Sequence, residues 1–295
     1  MFSQTAAPSF LLLLALVSVA EFIWRRASGA KYDLKALGGT LGVAIGQNIS
    51  KVLTASLITG AFLLAHQAAP INWPMDDWRS WALGFVAVEF AYYWQHRFSH
   101  TIRWLWATHA VHHSPNEFIL PAAIRLGWTG AISGGWMCFL PLAALGMPPL
   151  MISALLAANL QFQFFLHTEA VGKLGILELF FNTPSHHRVH HGSNAEYLDK
   201  NFGGVLIIFD RLFGTFAEEL SDAPVIYGLT KPLETSNPFA IAFHEWRRMF
   251  EDAVNSRSVD ELLRALFGRP GVVTSTALIG RRQEPMSVSP KQALE

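Results

Sequence analysis

The chain has 295 residues, 51% hydrophobic and only 15% charged, with a mean hydropathy of +0.28. Soluble domains carry about 25% charged residues, so the composition excludes an ordinary soluble domain and indicates an integral membrane protein. The formal net charge of zero gives no footing for a nucleic-acid partner, and the single cysteine, Cys138, excludes an intrachain disulfide and a CxxC metal motif.

The first apolar run, Pro8–Trp24, lacks a basic leader and a small-residue cleavage site and reads as a retained membrane helix. Arg25, Arg26, Lys31 and Lys35 follow it, which puts this end in the cytoplasm. Ile49–Ala69 is a second span, with Lys51 able to reach back to the same face. Trp78–Trp94 is a third. Trp128–Leu145 and Pro149–Leu166, joined by a GMPP turn, read as a fourth and fifth span or as a re-entrant hairpin. Each run approaches the ~20 residues needed to cross a ~30 Å hydrocarbon layer. Cys138 lies in the apolar run Trp136–Ala144 and reads as buried filler. Beyond Gly192 the chain is more polar. Asn201–Phe216 reads as a buried or interfacial segment closing over a site, Phe239–Phe267 as helices of a cytoplasmic cap, and Arg281–Glu295 as a disordered tail.

Between the third and fourth spans stands YYWQHRFSHTIRWLWATHAVHHSPNE, Tyr92–Glu117, with five of the twelve histidines. His96 and His100 are spaced i, i+4, and His109 stands i+3 and i+4 from His112 and His113. On a helix these spacings stack imidazoles on one face, which is how a helix offers two nitrogens to one metal ion. SHHRVHHG at Ser185–Gly192 repeats the pattern with His187, His190 and His191. Together these supply more imidazoles than one tetrahedral ion can use. Helix orientation from charge bias alone places both clusters, and His167 at the end of the fifth span, on one side of the membrane. His66 and His244 stand apart and read as non-ligands, and His186 is left open between ligand, supporting residue and neither.

Neutral nitrogen donors suit iron, zinc or copper rather than magnesium or calcium. On membrane helix ends they favour iron held for redox chemistry, two irons together being suited to O2-dependent attack on an inert C–H bond. A greasy substrate would enter sideways from the bilayer. Carboxylates that orient ligating imidazoles are sought among Glu89, Glu117, Glu169, Glu178 and Asp199. Glu89, inside an apolar span, is costly there and therefore expected near the site. Tyr92, Tyr93, Trp94, Trp104 and Trp106 read as an interfacial belt.

The HxxxH at His96–His100 and the two HxxHH patterns at His109–His113 and His187–His191 resemble the fatty acid hydroxylase/sterol desaturase superfamily of membrane di-iron proteins, from about Trp81 to Phe216. Finer features resemble its alkylglycerol monooxygenase-like branch: HHSPNEF at His112–Phe118, FLHTE at Phe165–Glu169, YLDKNFGG at Tyr197–Gly204, DRLFGTF at Asp210–Phe216, YGLTKPL at Tyr227–Leu233 and FGRPG at Phe267–Gly271. The resemblance implies an all-α membrane bundle of four to five transmembrane helices, topped by a cytoplasmic histidine-rich cap that holds two Fe ions. It implies ligation by His96, His100, His109, His112, His113, His187, His190 and His191, and by extension His167, with O2 as co-substrate and a lipid as substrate. Glu117 and Glu169 are the expected proton-delivering or imidazole-orienting residues. Electrons reach such enzymes from a b-type cytochrome, a ferredoxin or a reduced pterin. With no fused cytochrome and no nucleotide-binding glycine fingerprint, the reductant is expected from a separate partner or a small molecule.

The expected organisation is N-terminal membrane helices over 1–77, the di-iron domain over 78–235, a helical cap over 236–280 and a tail over 281–295, in a bacterial inner membrane with the site facing the cytoplasm. The expected reaction is hydroxylation of a lipid C–H bond, on the carbon beside an ether oxygen in the alkylglycerol case. Its rivals are a sterol or carotenoid desaturase or oxidase with the same metals and, in another class, a divalent-metal transporter or metal-binding membrane protein. The spans offer a transport path little beyond Gln47, Asn159, Gln161 and Gln163, and the absence of HExxH argues against a zinc peptidase.

Overall fold

The computed structural model describes residues 6–271, so the expected tail at 281–295 lies outside it. No strand occurs among the described residues, only two isolated bridges, Phe181 with Leu206 and Gly192 with Tyr227. The long helices are α1 (Ala6–Ala27), α2 (Leu34–Gln67) and α3 (Trp78–Thr101). Short pieces follow: α4 (Arg103–His109), α5 (Gly130–Ser133) and α6 (Leu140–Ala144), then the longer α7 (Pro149–Phe164), and α8 (Pro184–His190) and α9 (Ile208–Phe213). The cap is α10 (Pro238–Val254) and α11 (Val259–Phe267).

α2 is one 34-residue helix, about 51 Å long at 1.5 Å per residue. Asp33 caps its start by accepting from the amides of Lys35 and Ala36. Among the described residues it is the one helix long and apolar enough to cross a membrane by length and composition. Its first half carries Gly42 and Gly46, where an added Cβ would collide with Pro238 and with the Trp128 ring. The C-terminal cap and the Trp128 loop therefore lie directly on its backbone.

The run Trp128–Leu145, expected as a helical span, is broken. α5 stops at Gly134 in the left-handed region (φ 79°), a 3-10 turn covers Gly135–Phe139, and α6 restarts with Pro141 in its first turn. Hydropathy sees an apolar stretch, whereas the glycine pair and the proline divide it. The 3-10 turn and α7 pack on α3, and α6 packs on α2 and α7, around a core of Val88, Ala91, Phe139, Ala143, Met147, Met151 and Ile152 with Cys138 at its edge. Val43 of α2, Val111 and Ile241 of α10 form a second core. Ala107 of α4, with Trp246 and Met249, forms a third.

Three rings of the aromatic run make contacts within the protein. Tyr93 is fully buried and its hydroxyl hydrogen-bonds Thr215, Trp104 packs edge-on against Trp246, and Trp106 lies against His100. Tyr93 packs among Phe202, Phe209 and Phe213, while Trp104 and Trp106 fill the joint between α4, the cap and the first histidines.

Candidate metal centre

Nine histidines converge in two groups. His96, His100, His109, His113 and His190 form one, and His112, His167, His187 and His191 the other, with the ring nitrogens of each group within 4.8 Å of one another. α3 supplies His96 and His100 one turn apart, and α4 ends on His109. The turn after α4 separates His112 from His113, sending one to each group. α8 starts with Pro184 at its first position and Thr183 as cap, and likewise divides His190 from His187 and His191. The two groups touch where His113 stacks on His191, centroids 4.3 Å apart.

Inside the first group, Nε2 of His109 lies 3.0 Å from Nε2 of His96 and 3.1 Å from Nε2 of His113. Inside the second, Nε2 of His167 lies 3.2 Å from that of His112 and 3.1 Å from that of His187. The other ring nitrogen fixes the tautomer in three of them. Nδ1 of His96, His167 and His190 donates to the carbonyls of Phe202, Gln163 and Lys200, each at 2.8 Å. A carbonyl only accepts, so in these rings Nε2 carries a lone pair aimed into its group. Nε2 of His100, His190 and His191 is buried without a protein partner. The lone pairs of His96 and His190 aimed into one group, beside the unpartnered Nε2 of His100, are what a cation would satisfy, so the donor set fits a metal that accepts imidazole.

Burial keeps the rings neutral, which is the ligating form. It drives His109, His112, His113, His187, His190 and His191 well below the usual imidazole value, and the neighbouring histidines add to the effect. Burial brings His167 down to about 4, against its bond to Gln163.

The orienting partners are mostly backbone carbonyls, where carboxylates were expected. One loop braces the first group. Asp199 stands 3.6 Å from Nδ1 of His100, and Lys200 and Phe202 hold His190 and His96. Asn201 anchors that loop with its side chain on His186 and Ala217, and buried Asp210 accepts from the amides of Phe202 and Gly203. Glu89 supports the same region from below, accepting from Asn159 and from the amides of Val205 and Leu206, and it bonds no histidine.

The second group is fastened to α1. Glu21, 5% exposed, accepts from the Thr168 hydroxyl and the Leu120 amide. Arg25, equally buried, pairs with Glu169 at 2.6 Å and donates to the Phe118 carbonyl. Phe118 stacks on His167 and on Tyr227, whose hydroxyl donates to Glu169. Glu169 thus lies one link behind the loop that carries His167. Glu117 lies further out and accepts from the Asp33 amide. Among the described residues neither carboxylate hydrogen-bonds a histidine. Glu21 and Arg25 were not singled out as site residues; a carboxylate in an apolar run, the argument used for Glu89, applies equally to Glu21.

His186 lies outside both groups, its ring on Phe216 and its Nε2 4.0 Å from Glu178. His66 and His244 also lie outside them. A cavity of about 880 Å³ opens beside the first group, reaching His100, His113 and His190 between Trp106, Arg103 and Lys231, and touching no histidine of the second.

Residues 81–215 match the family model described as fatty acid hydroxylase. The chain is 39% identical to an alkylglycerol monooxygenase of Danio rerio over 251 residues, 83% of this chain and 55% of that protein. It is 38% identical to the alkylglycerol monooxygenase of Homo sapiens over 241 residues, 82% and 53% of the two chains. It is 28% identical to the ornithine lipid hydroxylase OlsE of Rhizobium tropici over 216 residues, 71% and 64%. The chain spans about half the length of the alkylglycerol monooxygenases it matches, and no solved structure matches it. With the family match lying over both histidine groups, and these relatives aligned across most of its length, the chain belongs to the fatty acid hydroxylase/sterol desaturase superfamily, in its alkylglycerol monooxygenase-like branch.

Proposed function

We propose that the protein is an integral membrane oxygenase that hydroxylates a lipid C–H bond, with two iron ions held by nine histidines. The observation that carries this reading is the division of nine neutral, converging imidazoles into a five and a four. His96, His100, His109, His113 and His190 would hold one ion, and His112, His167, His187 and His191 the other. Bound iron supplies the O2 chemistry that no side chain can. The overall change is RH + O2 + 2 e⁻ + 2 H⁺ → ROH + H2O, with both electrons from an external b-type cytochrome, ferredoxin or reduced pterin.

The chain's own part is to hold neutral rings in fixed orientation and to exclude water around them. The carbonyls of Phe202, Gln163 and Lys200 fix three rings, and Phe118 covers the second group. Glu169 acts on the His167 loop through Arg25 and Tyr227, and Glu117 fastens the start of α2 beside it. α1, α2, α3 and α7, with the α5–α6 segment as a partial span, form the membrane base. The centre faces the cytoplasm of a bacterial cell, by the charge bias of Arg25, Arg26, Lys31 and Lys35. The names of the relatives, alkylglycerol monooxygenase and ornithine lipid hydroxylase, point to a lipid with a polar head, oxidised in the ether case beside the ether oxygen.

The test is purified protein in liposomes, given an alkylglycerol or an ornithine lipid, a reductant and ¹⁸O2, with product mass and iron per chain both measured. One labelled oxygen in the product and two irons per chain are expected. Loss of two hydrogens instead would make it a desaturase, and metal uptake into the vesicles without oxidation would make it a transporter.

A further inference from the structure

Residues 169–181, between α7 and α8, are almost all exposed, and most of them are apolar. The 3-10 turn Gly175–Leu179 presents Ile176 at 75% exposure beside Leu177, Leu179 and Phe180. α9 lies next to it and exposes Leu212 at 69%. The two are stitched into one unit. Phe181 bridges Leu206, the Asn182 amide donates to the Val205 carbonyl, the Ile207 amide to the Phe180 carbonyl, and the Arg211 guanidinium to the Glu178 carbonyl. An apolar surface this continuous is rarely left to water and marks a site of contact with something apolar.

What covers it follows from its depth along α3. Phe90 of α3 is edge-on to Phe209, and Phe213 packs against Phe90, Tyr93 and Trp94. Glu89 holds the Val205 and Leu206 amides at the same level. Phe90 precedes His96 by six residues, so α9 lies about 9 Å along the helix from His96, back into the apolar stretch of α3. Its face continues the outward surface of α3, where Leu83, Val86 and Phe90 are exposed. Cationic Lys173 and Arg211 flank the patch, the arrangement of an element seated at the boundary of hydrocarbon and headgroups.

We propose that residues 174–181 and 206–213 form one wedge that dips into the cytoplasmic leaflet of a phospholipid bilayer. The proposal rests on the membrane reading above and extends it: the wedge is not a spanning element, and it hangs directly from α8. The Thr183 hydroxyl, which caps α8, also donates to Glu178 of the 3-10 turn. A lipid leaving the bilayer beside α3 would therefore meet the wedge and then the helix that carries His187, His190 and His191.

Nitroxide labels at Ile176→Cys and at Leu212→Cys, each in a Cys138→Ser background and in phosphatidylcholine/phosphatidylglycerol liposomes, read this directly through collisions with O2 and with a water-soluble nickel chelate. Leu57→Cys, on the exposed middle of α2, and Glu251→Cys, on the cap, serve as references. The expected result is an O2-to-chelate ratio at 176 and 212 several-fold above that at 251 and close to that at 57. Chelate access at 176 and 212 equal to that at 251, with 57 in lipid, would overturn the wedge alone. Chelate access at 57 as well would overturn the membrane reading beneath it. Shielding of 176 and 212 from both reagents, with spin–spin broadening, would mean that a second copy covers the patch and would also overturn the proposal.

Discussion

The two histidine groups draw on the same short elements, since the turn after α4 and helix α8 each feed both. They differ in what surrounds them. The first group is braced by a single loop, Asp199–Phe202, and opens on the cavity of about 880 Å³. The second is roofed by Phe118 and tied through Thr168 and Glu169 to Glu21 and Arg25 on α1. One is thus open to a cavity and braced by a neighbouring loop, the other covered and tied through its own loop to side chains of a remote helix. Equal donor chemistry does not make two sites equivalent, because access and support are set by different parts of the chain.

The sharpest way to break this comparison is to remove one ring from each group. His109→Ala and His187→Ala are each expected to abolish turnover and to lower bound iron from two per chain to one, as read by elemental analysis. Loss of both ions from either variant would show a single coupled site. Next in size is Arg25→Leu, which strips the buried partner from Glu169. Direct partners of ligating histidines are worth roughly 10–100-fold in metal affinity or activity; Glu169 bonds no histidine, so the loss should be about 10-fold or less and should fall on the second group while one iron stays firmly bound. Asn201→Ala is the converse. It leaves the buried His186 carbonyl and the half-buried Ala217 carbonyl and amide without their partner, at about 1–3 kcal/mol of stability, and should loosen the first group only.

A pH titration of the metal-free protein probes both groups together. Folded imidazoles bind protons less readily than unfolded ones, His167 reaching about 4. Between that value and the ordinary value near 6.5, the unfolded state holds more protons, so stability falls as pH drops through the window and is fully present above it. A melting temperature that does not change between pH 7 and about 4.5 would contradict the burial of these rings. The smallest effect is expected for Asp199→Asn. Half-exposed Asp199 stands 3.6 Å from His100, and an exposed pair of this kind changes affinity by no more than about fivefold.

The histidine clusters were legible because helical spacing is local, and a ring three or four residues from another must share its face. The grouping was not, since adjacent His112 and His113 enter different groups and that depends on a turn. The loop 199–202 works through carbonyls, which every residue possesses, so no side-chain pattern announces which of them will face an imidazole. The run Trp128–Leu145 misled through composition: hydropathy averages over Gly134 and Pro141, and these decide the backbone. Glu89 was rightly singled out as a costly buried carboxylate, but it braces a loop rather than a ligand.

The seating of the cap on α2, by way of Pro238 against Gly42, has a consequence for biosynthesis. α10 also reaches back to α4, where Glu245 and Asp252 take the Arg103 guanidinium, while the Gly268 carbonyl accepts the Arg103 amide. These partners are more than 140 residues apart in sequence, and contacts of such separation form late because the loop they close must first be ordered. A nascent chain emerging from the ribosome therefore carries all nine histidines well before the segments that enclose them. The cap closes over α4 only once α10 and α11 have been made, so iron supplied earlier in synthesis would meet an unfinished vessel.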